Sequence, residues 1–188
     1  MNKKVWIGLF LSLLLTSSLT AKTSKEFYDN GKVKFEYTYQ NGKKNGITTE
    51  YNEDGKIKVK WNFKDDILEG MSTKYDKNGK KSSEINFIAG KQKGKTAKFD
   101  ENGKLQYELN YENEKLNGIS KEYENDTLKA EWNYKDNQKE GLSTIFYPNK
   151  KAHYKLNYKV GKLDGLSTEY FENGNKKAEW NYKAGILN

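Results

Sequence analysis

A chain of 188 residues with 34 basic groups, all lysine, and 26 acidic ones carries a formal charge of +8 and a mean hydropathy of -1.08. Charge at that density excludes an ordinary apolar core, while fourteen tyrosines, eight phenylalanines and four tryptophans exclude a plain disordered polymer, since each large ring brings roughly 150–250 Å² that folding tends to cover. The absence of cysteine excludes a disulfide framework, a thiol nucleophile and a lipid-modified N-terminal cysteine.

The first segment, residues 1–21, has the layout of a signal peptide. Lys3 and Lys4 precede an apolar run from Val5 to Leu15, and the small polar stretch Thr16 to Ala21 offers a cleavage point after Ala21. The run is too short for the ~20 residues that a membrane-crossing helix needs. An exported protein is therefore expected, whether periplasmic, cell-surface or secreted. Loss of Lys3 and Lys4 lowers the charge from +8 to +6.

From Thr23 onward the chain falls into seven rows closed by a recurring glycine: 23–46, 47–70, 71–94, 95–118, 119–141, 142–165 and 166–188. The first four align without a gap, the fifth lacks one residue at its turn, and the hexapeptide AEWNYK occurs at the same place in rows five and seven. Each row reads as a short strand, a turn and a longer strand. The short strand bears one ring per row: Phe27, Tyr51, Tyr75, Phe99, Tyr123, Phe146 or Tyr170. The longer strand alternates with period two, as in Tyr107, Leu109 and Tyr111 against Gln106, Glu108 and Asn110, which predicts one ring face and one polar face. Asn30-Gly31, Asp54-Gly55, Asn78-Gly79, Asn102-Gly103 and Asn173-Gly174 predict tight hairpins between the two strands, with Pro148-Asn149 keeping the turn in row six. The expected fold is all-β: an elongated antiparallel meander of about seven hairpins, some fourteen short strands, in a single twisted sheet.

Chemistry-bearing residues are sparse. His153 is the one imidazole and falls on the polar side of its strand, where a solvated surface role is expected. Acidic turns such as Asp100-Glu101-Asn102-Gly103 lack the further oxygen ligands of a calcium loop and read as side-chain-capped turns. Glu36, Glu84, Glu108, Glu131 and Glu179 recur at one strand position beside lysines and predict cross-strand ion pairs. Asn62, Asn86, Asn110, Asn133, Asn157 and Asn181 predict a lateral amide ladder on the polar face. No catalytic residue, metal site or cofactor is expected.

The alternation of tyrosine, turn glycine, ring-bearing strand and closing glycine resembles the MORN-type repeat family. The likeness is nearest to its bacterial variant, Y-x-x-N-G-K-x-x-x-x-x-x-Y-x-x-G-K-x-x-G. Phe27-Tyr28-Asp29-Asn30-Gly31-Lys32 and Tyr39-Gln40-Asn41-Gly42-Lys43-Lys44-Asn45-Gly46 show the pattern. Rows five and six depart at the first glycine, where Asp126-Thr127 and Lys150 stand. The resemblance implies the repeated sheet. It also implies, for some relatives, membrane or protein contacts and, for others, an antitoxin-like role.

One sheet with one ring-bearing face leaves that face uncovered, which makes Tyr37, Trp61, Trp132, Trp180, Tyr134 and Tyr182 the candidate binding residues. Three readings follow. The first is an exported, non-enzymatic interaction or scaffold module at the cell envelope or surface, using that face and the edge strand Lys177 to Tyr182 to hold a protein partner or another copy of itself. The second is a binder of anionic lipid or glycan, suggested by charge interleaved with rings. The third is an antitoxin-like neutraliser. Nucleic acid fits the charge but not the export leader.

Overall fold

The computed structural model describes residues 21–188, so the signal peptide expected at 1–21 lies outside it but for Ala21. Twenty antiparallel strands form one sheet, and no helix occurs among the described residues. Fourteen strands are six to nine residues long and six have only two.

Every row builds the same hairpin. In row two, Gly46–Tyr51 pairs with Ile57–Lys64, and in row seven Gly165–Tyr170 pairs with Lys176–Lys183. The longer strand then folds back through a two-residue arm, as Ile67–Leu68 does against Lys64 and Phe63. In row three the arm runs without a break into the next row as the single strand Lys91–Phe99. Rows join through short ladders of constant register: Phe35 and Glu36 face Glu50 and Thr49, Tyr107 and Glu108 face Glu122 and Lys121, and Tyr154 and Lys155 face Glu169 and Thr168. The arms also stack on one another. Asp66 N–H donates to Lys44 C=O at 2.9 Å, and Gly161 N–H to Lys139 C=O at 2.9 Å. A lone two-stranded hairpin is marginal in water, so these row-to-row bonds and the contacts around them are what make the unit persist.

The first turn is longer than a two-residue hairpin. Gly31 N–H donates to Tyr28 C=O at 2.9 Å and Tyr28 N–H to Lys32 C=O at 2.8 Å, with φ positive at Gly31 (78°) and not at Asn30. Asn30 instead accepts the Lys32 N–H on its Oδ1 at 3.0 Å, the usual side-chain support of such a turn. The one-residue deletion in row five has a clear outcome: Asn125 and Asp126 both take positive φ (50° and 63°), and Glu124 pairs directly with Thr127, giving the two-residue turn there. In row six Lys150 occupies the glycine's left-handed place at φ 66°.

A β-bulge beside this turn recurs in each row, between Glu50 and Tyr51 or Glu169 and Tyr170 for example. It leaves Lys58 without a partner across the ladder and re-aims it. The most protected side chains are small. Val59 and Ala130 are the buried apolar ones, and beside them Thr48, Ser72, Thr96, Ser120, Ser143 and Ser167 are at most 2% exposed. These hydroxyl residues lie two places after each closing glycine. Ser72 Oγ accepts the Asn62 N–H at 3.1 Å, Ser120 Oγ the Asn110 N–H at 3.3 Å and Ser143 Oγ the Asn133 N–H at 3.1 Å, so in these three rows the hydroxyl completes the backbone of the row before it.

Candidate functional site

Register decides which residues share a face, because directly opposed residues point the same way. Ser24 faces Tyr37, Thr48 faces Trp61, Ser120 faces Trp132 and Ser167 faces Trp180. Gly118 faces Tyr134 and Gly165 faces Tyr182. The structure thus brings Tyr37, Trp61, Trp132 and Trp180 into one column and Tyr134 and Tyr182 into the next, on a single face. All six are half-buried.

Three of these rings have their polar ends bound. Trp61 Nε1–H donates to Glu50 at 3.2 Å, Trp132 Nε1–H to Glu122 at 3.0 Å, and the Tyr37 hydroxyl to Glu26 at 2.8 Å. A lysine from the bulge closes each unit: Lys58 lies 2.7 Å from Glu50, Lys129 3.3 Å from Glu122 and Lys34 3.4 Å from Glu26. In row seven Glu169 takes Lys177 at 2.8 Å and the Tyr154 hydroxyl at 3.1 Å. The Tyr37 hydrogen bond holds the Glu26 carboxyl below its ordinary range, while burial and then Glu26 push the Tyr37 phenol up to about 12. Period-two reading missed these glutamates because it followed the longer strand alone. The available signal was their constant place two residues after the buried serine or threonine.

Lysines lie over the ring face itself, Lys44 and Lys139 nearest. Lys44 Nζ is 4.8 Å from the Tyr37 ring centroid and 5.4 Å from that of Phe63, and Lys139 Nζ is 3.3 Å from Trp132 and 5.1 Å from Tyr158. Burial lowers the Lys139 pKa. An open groove of about 240 Å³ runs between Tyr37, Lys44, Trp61 and Phe63.

A family model described as the MORN repeat variant matches residues 22–41, 44–65, 68–89, 92–113, 139–159 and 163–184, more than half of the chain. The chain belongs to the MORN repeat variant family. Comparison with curated proteins found none that matches. MORN repeats generally serve as protein- or membrane-binding modules and are not typically enzymatic. The interval 114–138, between two of the matches, holds the shortened turn of MORN row five.

The reverse face of the MORN sheet departs from the sequence expectation. Ile47, Met71, Ile119, Leu142 and Leu166 are 43–50% exposed there, each directly opposite an asparagine. Lys64, Lys135, Lys159 and Lys183, two places beyond the asparagines, line the same stripe. The short-strand rings also belong to this side, for Tyr51 and Tyr123 donate to Glu36 at 3.1 Å and to Glu108 at 2.9 Å.

Three expectations need correction. The asparagines make no lateral amide ladder: Asn86 Nδ2 donates to Lys93 C=O, and Asn110 and Asn157 to Ile119 and Leu166 C=O, so each of these amides is taken up by a backbone carbonyl near the start of the next row. Of the recurring glutamates, Glu36 and Glu131 do meet opposed lysines, Lys25 at 3.5 Å and Lys121 at 3.6 Å. Glu84 and Glu179 bind lysines of their own strands, and Glu108 takes the Tyr123 hydroxyl. His153 is half-buried rather than solvated. Its ring lies 4.1 Å from that of Tyr147 and 4.0 Å from that of Tyr154, with Nε2 3.6 Å from Glu169.

Proposed function

We propose that this MORN repeat protein is an exported, non-enzymatic scaffold that holds a protein partner on its ring face at the cell envelope or surface. The observation that carries this reading is the combination of a single-layer sheet with three ring ends already bound, those of Tyr37, Trp61 and Trp132. Because Glu26, Glu50 and Glu122 already bind the polar atoms of Tyr37, Trp61 and Trp132, the rings offer preorganised apolar faces, which suits an extended protein segment. The leader-like first segment supports export. Crosslinking in intact cells tests it by comparing wild type, Trp61→Ala with Trp132→Ala, and the reverse-face change Leu142→Ser. A specific partner lost only with the tryptophans is expected. Equal capture by all three, or a chain that stays in the cytoplasm with residues 1–21 attached, overturns the corresponding half of the proposal.

A second reading, an anionic-lipid binder, draws on a separate observation: the exposed Ile47, Met71, Ile119, Leu142 and Leu166 stripe beside lysines suits shallow insertion at a charged interface. It expects sedimentation with phosphatidylglycerol vesicles but not with phosphatidylcholine ones. Binding should weaken in about 0.5 M salt and with Met71→Ser, and not with Trp132→Ala. Binding indifferent to salt and to Met71→Ser removes it.

A further inference from the structure

The two outer strands of the sheet are complementary, place for place. Among the described residues Lys22–Phe27 pairs on one side only, with Val33–Gln40, and is exposed along its whole length. At the other end, among the described residues, the outer side of Lys176–Lys183 meets only the arm Ile186–Leu187, at Tyr182 and Lys183, and Asn188 at Asn181. Asn188 N–H already donates to Asn181 C=O at 2.9 Å, as Asp164 N–H does to Asn157 C=O where row seven follows. Lys22 likewise faces Tyr39 as Gly46 faces Phe63. Each edge therefore has the form that its counterparts take at an internal junction.

We propose that a second copy of this chain docks head to tail, its Lys22–Phe27 strand pairing with the outer side of Lys176–Lys183 in the register that joins the rows internally. In that register Glu108 faces Lys121 and Tyr107 faces Glu122, so Glu179 meets Lys25 of the next copy, opposite in charge, and Ala178 meets Glu26. Ser24, exposed where all its counterparts are buried, gains the Asn181 N–H, just as Ser72, Ser120 and Ser143 take the N–H of Asn62, Asn110 and Asn133. The apolar ends match as well. Tyr28 reaches Tyr51 C=O and Tyr147 reaches Tyr170 C=O across a junction, which sets Phe171 (48% exposed) against Phe27 (55% exposed) of the next copy. Unpaired strand edges of matching register are ready-made templates for such pairing, and a heterologous contact that does not close gives an open series. This interaction uses the edges and is independent of the ring face.

Light scattering on the purified protein across a concentration series tests it, together with crosslinking of single-cysteine variants, for which the cysteine-free chain gives no background. Mass should rise past the dimer with concentration. Glu179→Lys should weaken association by about fivefold, adding Lys25→Glu should restore it, and Trp132→Ala should leave it unchanged. A mixture of Lys25→Cys and Glu179→Cys proteins should form a disulfide-linked pair that neither forms alone. A protein monomeric at every concentration, a species that stops at two, or association that ignores Glu179→Lys while failing with Trp132→Ala overturns the proposal. Circular dichroism of each variant separates lost docking from lost fold.

Discussion

The ammonium of Lys139 sits 3.3 Å from the centre of the Trp132 ring. Attraction between the cation and the ring offsets part of the loss of hydration, yet burial still lowers the lysine's pKa, so the site favours the uncharged form more than water does. Leu68, Leu116 and Leu163 occupy the equivalent arm position in other rows. Lys139→Leu is therefore expected to stabilise the sheet by about 1 kcal/mol, from added apolar burial and removal of a partly desolvated charge. The sign with pH is also fixed. With the folded pKa depressed, the unfolded chain binds more protons between the two values, so this lysine's contribution to stability rises as pH climbs through that window. Urea titrations at pH 7 and above check both effects. A lower midpoint for Lys139→Leu contradicts them.

Ser143 and Ser167 hold the same place in successive rows and are equally buried, but only one is bonded. Ser143 Oγ accepts the Asn133 N–H at 3.1 Å, whereas Ser167 Oγ has no partner among the described residues. Ser143→Ala orphans a backbone donor and should cost about 1–3 kcal/mol. Ser167→Ala removes a buried unpaired hydroxyl and should be neutral or stabilising by about 1 kcal/mol. Chemical denaturation of the two variants side by side provides the check, and equal losses would show that the bond to Asn133 does not matter.

How much of this was legible beforehand follows from what period two can carry. Alternation within the longer strands sorted Trp61 from Asn62 and so located the ring face, and the turn glycines placed the hairpins. Alternation is silent about how one strand's phase relates to its neighbour's. That relation depends on the bulge beside Tyr51, and it alone shows that Glu50 shares the side of Trp61 while Ile47 shares that of Asn62. The buried serines and threonines escaped for another reason. A hydroxyl residue in a polar sequence carries no hydrophobic signal, and its value lies in being small enough to sit beneath a ring and reach a backbone N–H. The asparagines find their partners in backbone carbonyls near the start of the next row, which no sequence pattern marks.

Tyr37 and Tyr123 make the protein sensitive to alkali. Burial first, and then the carboxylates of Glu26 and Glu108, push both phenols up to about 12 from an ordinary 10. A raised folded pKa means that the neutral phenol is the stabilised form. Its contribution is complete below about pH 10 and is lost as pH rises toward 12, because the unfolded chain gives up these protons first. Ultraviolet titration of phenolate absorbance should show a late-ionising set of tyrosines that includes these two, and the Tyr37→Phe, Tyr123→Phe double variant should lose two phenols from the last part of that set and unfold less steeply between pH 10 and 12. Two phenols titrating at 10 in the folded protein would remove this prediction.

Val160 holds a backbone conformation that suits it badly. It opens the row-six arm at φ 50°, the place taken by Asn41, Asp65, Asn113 and Asp136 in other rows, and Gly161 follows at 75°. A β-branched side chain in the left-handed region crowds its own backbone, at a cost of about 1–2 kcal/mol, whereas asparagine tolerates it. Val160 is 61% exposed, so little packing offsets the strain, and its N–H bond to Glu140 at 2.8 Å does not depend on the side chain. Val160→Asn is expected to raise stability by about 1 kcal/mol and the melting temperature by about 2–4 °C. The reciprocal change Asn41→Val, at φ 53° in row one, should lower it by a similar amount. Thermal melts of both variants decide the matter. An unchanged or lower melting temperature for Val160→Asn, with Asn41→Val equally silent, would mean that arm strain does not limit this sheet.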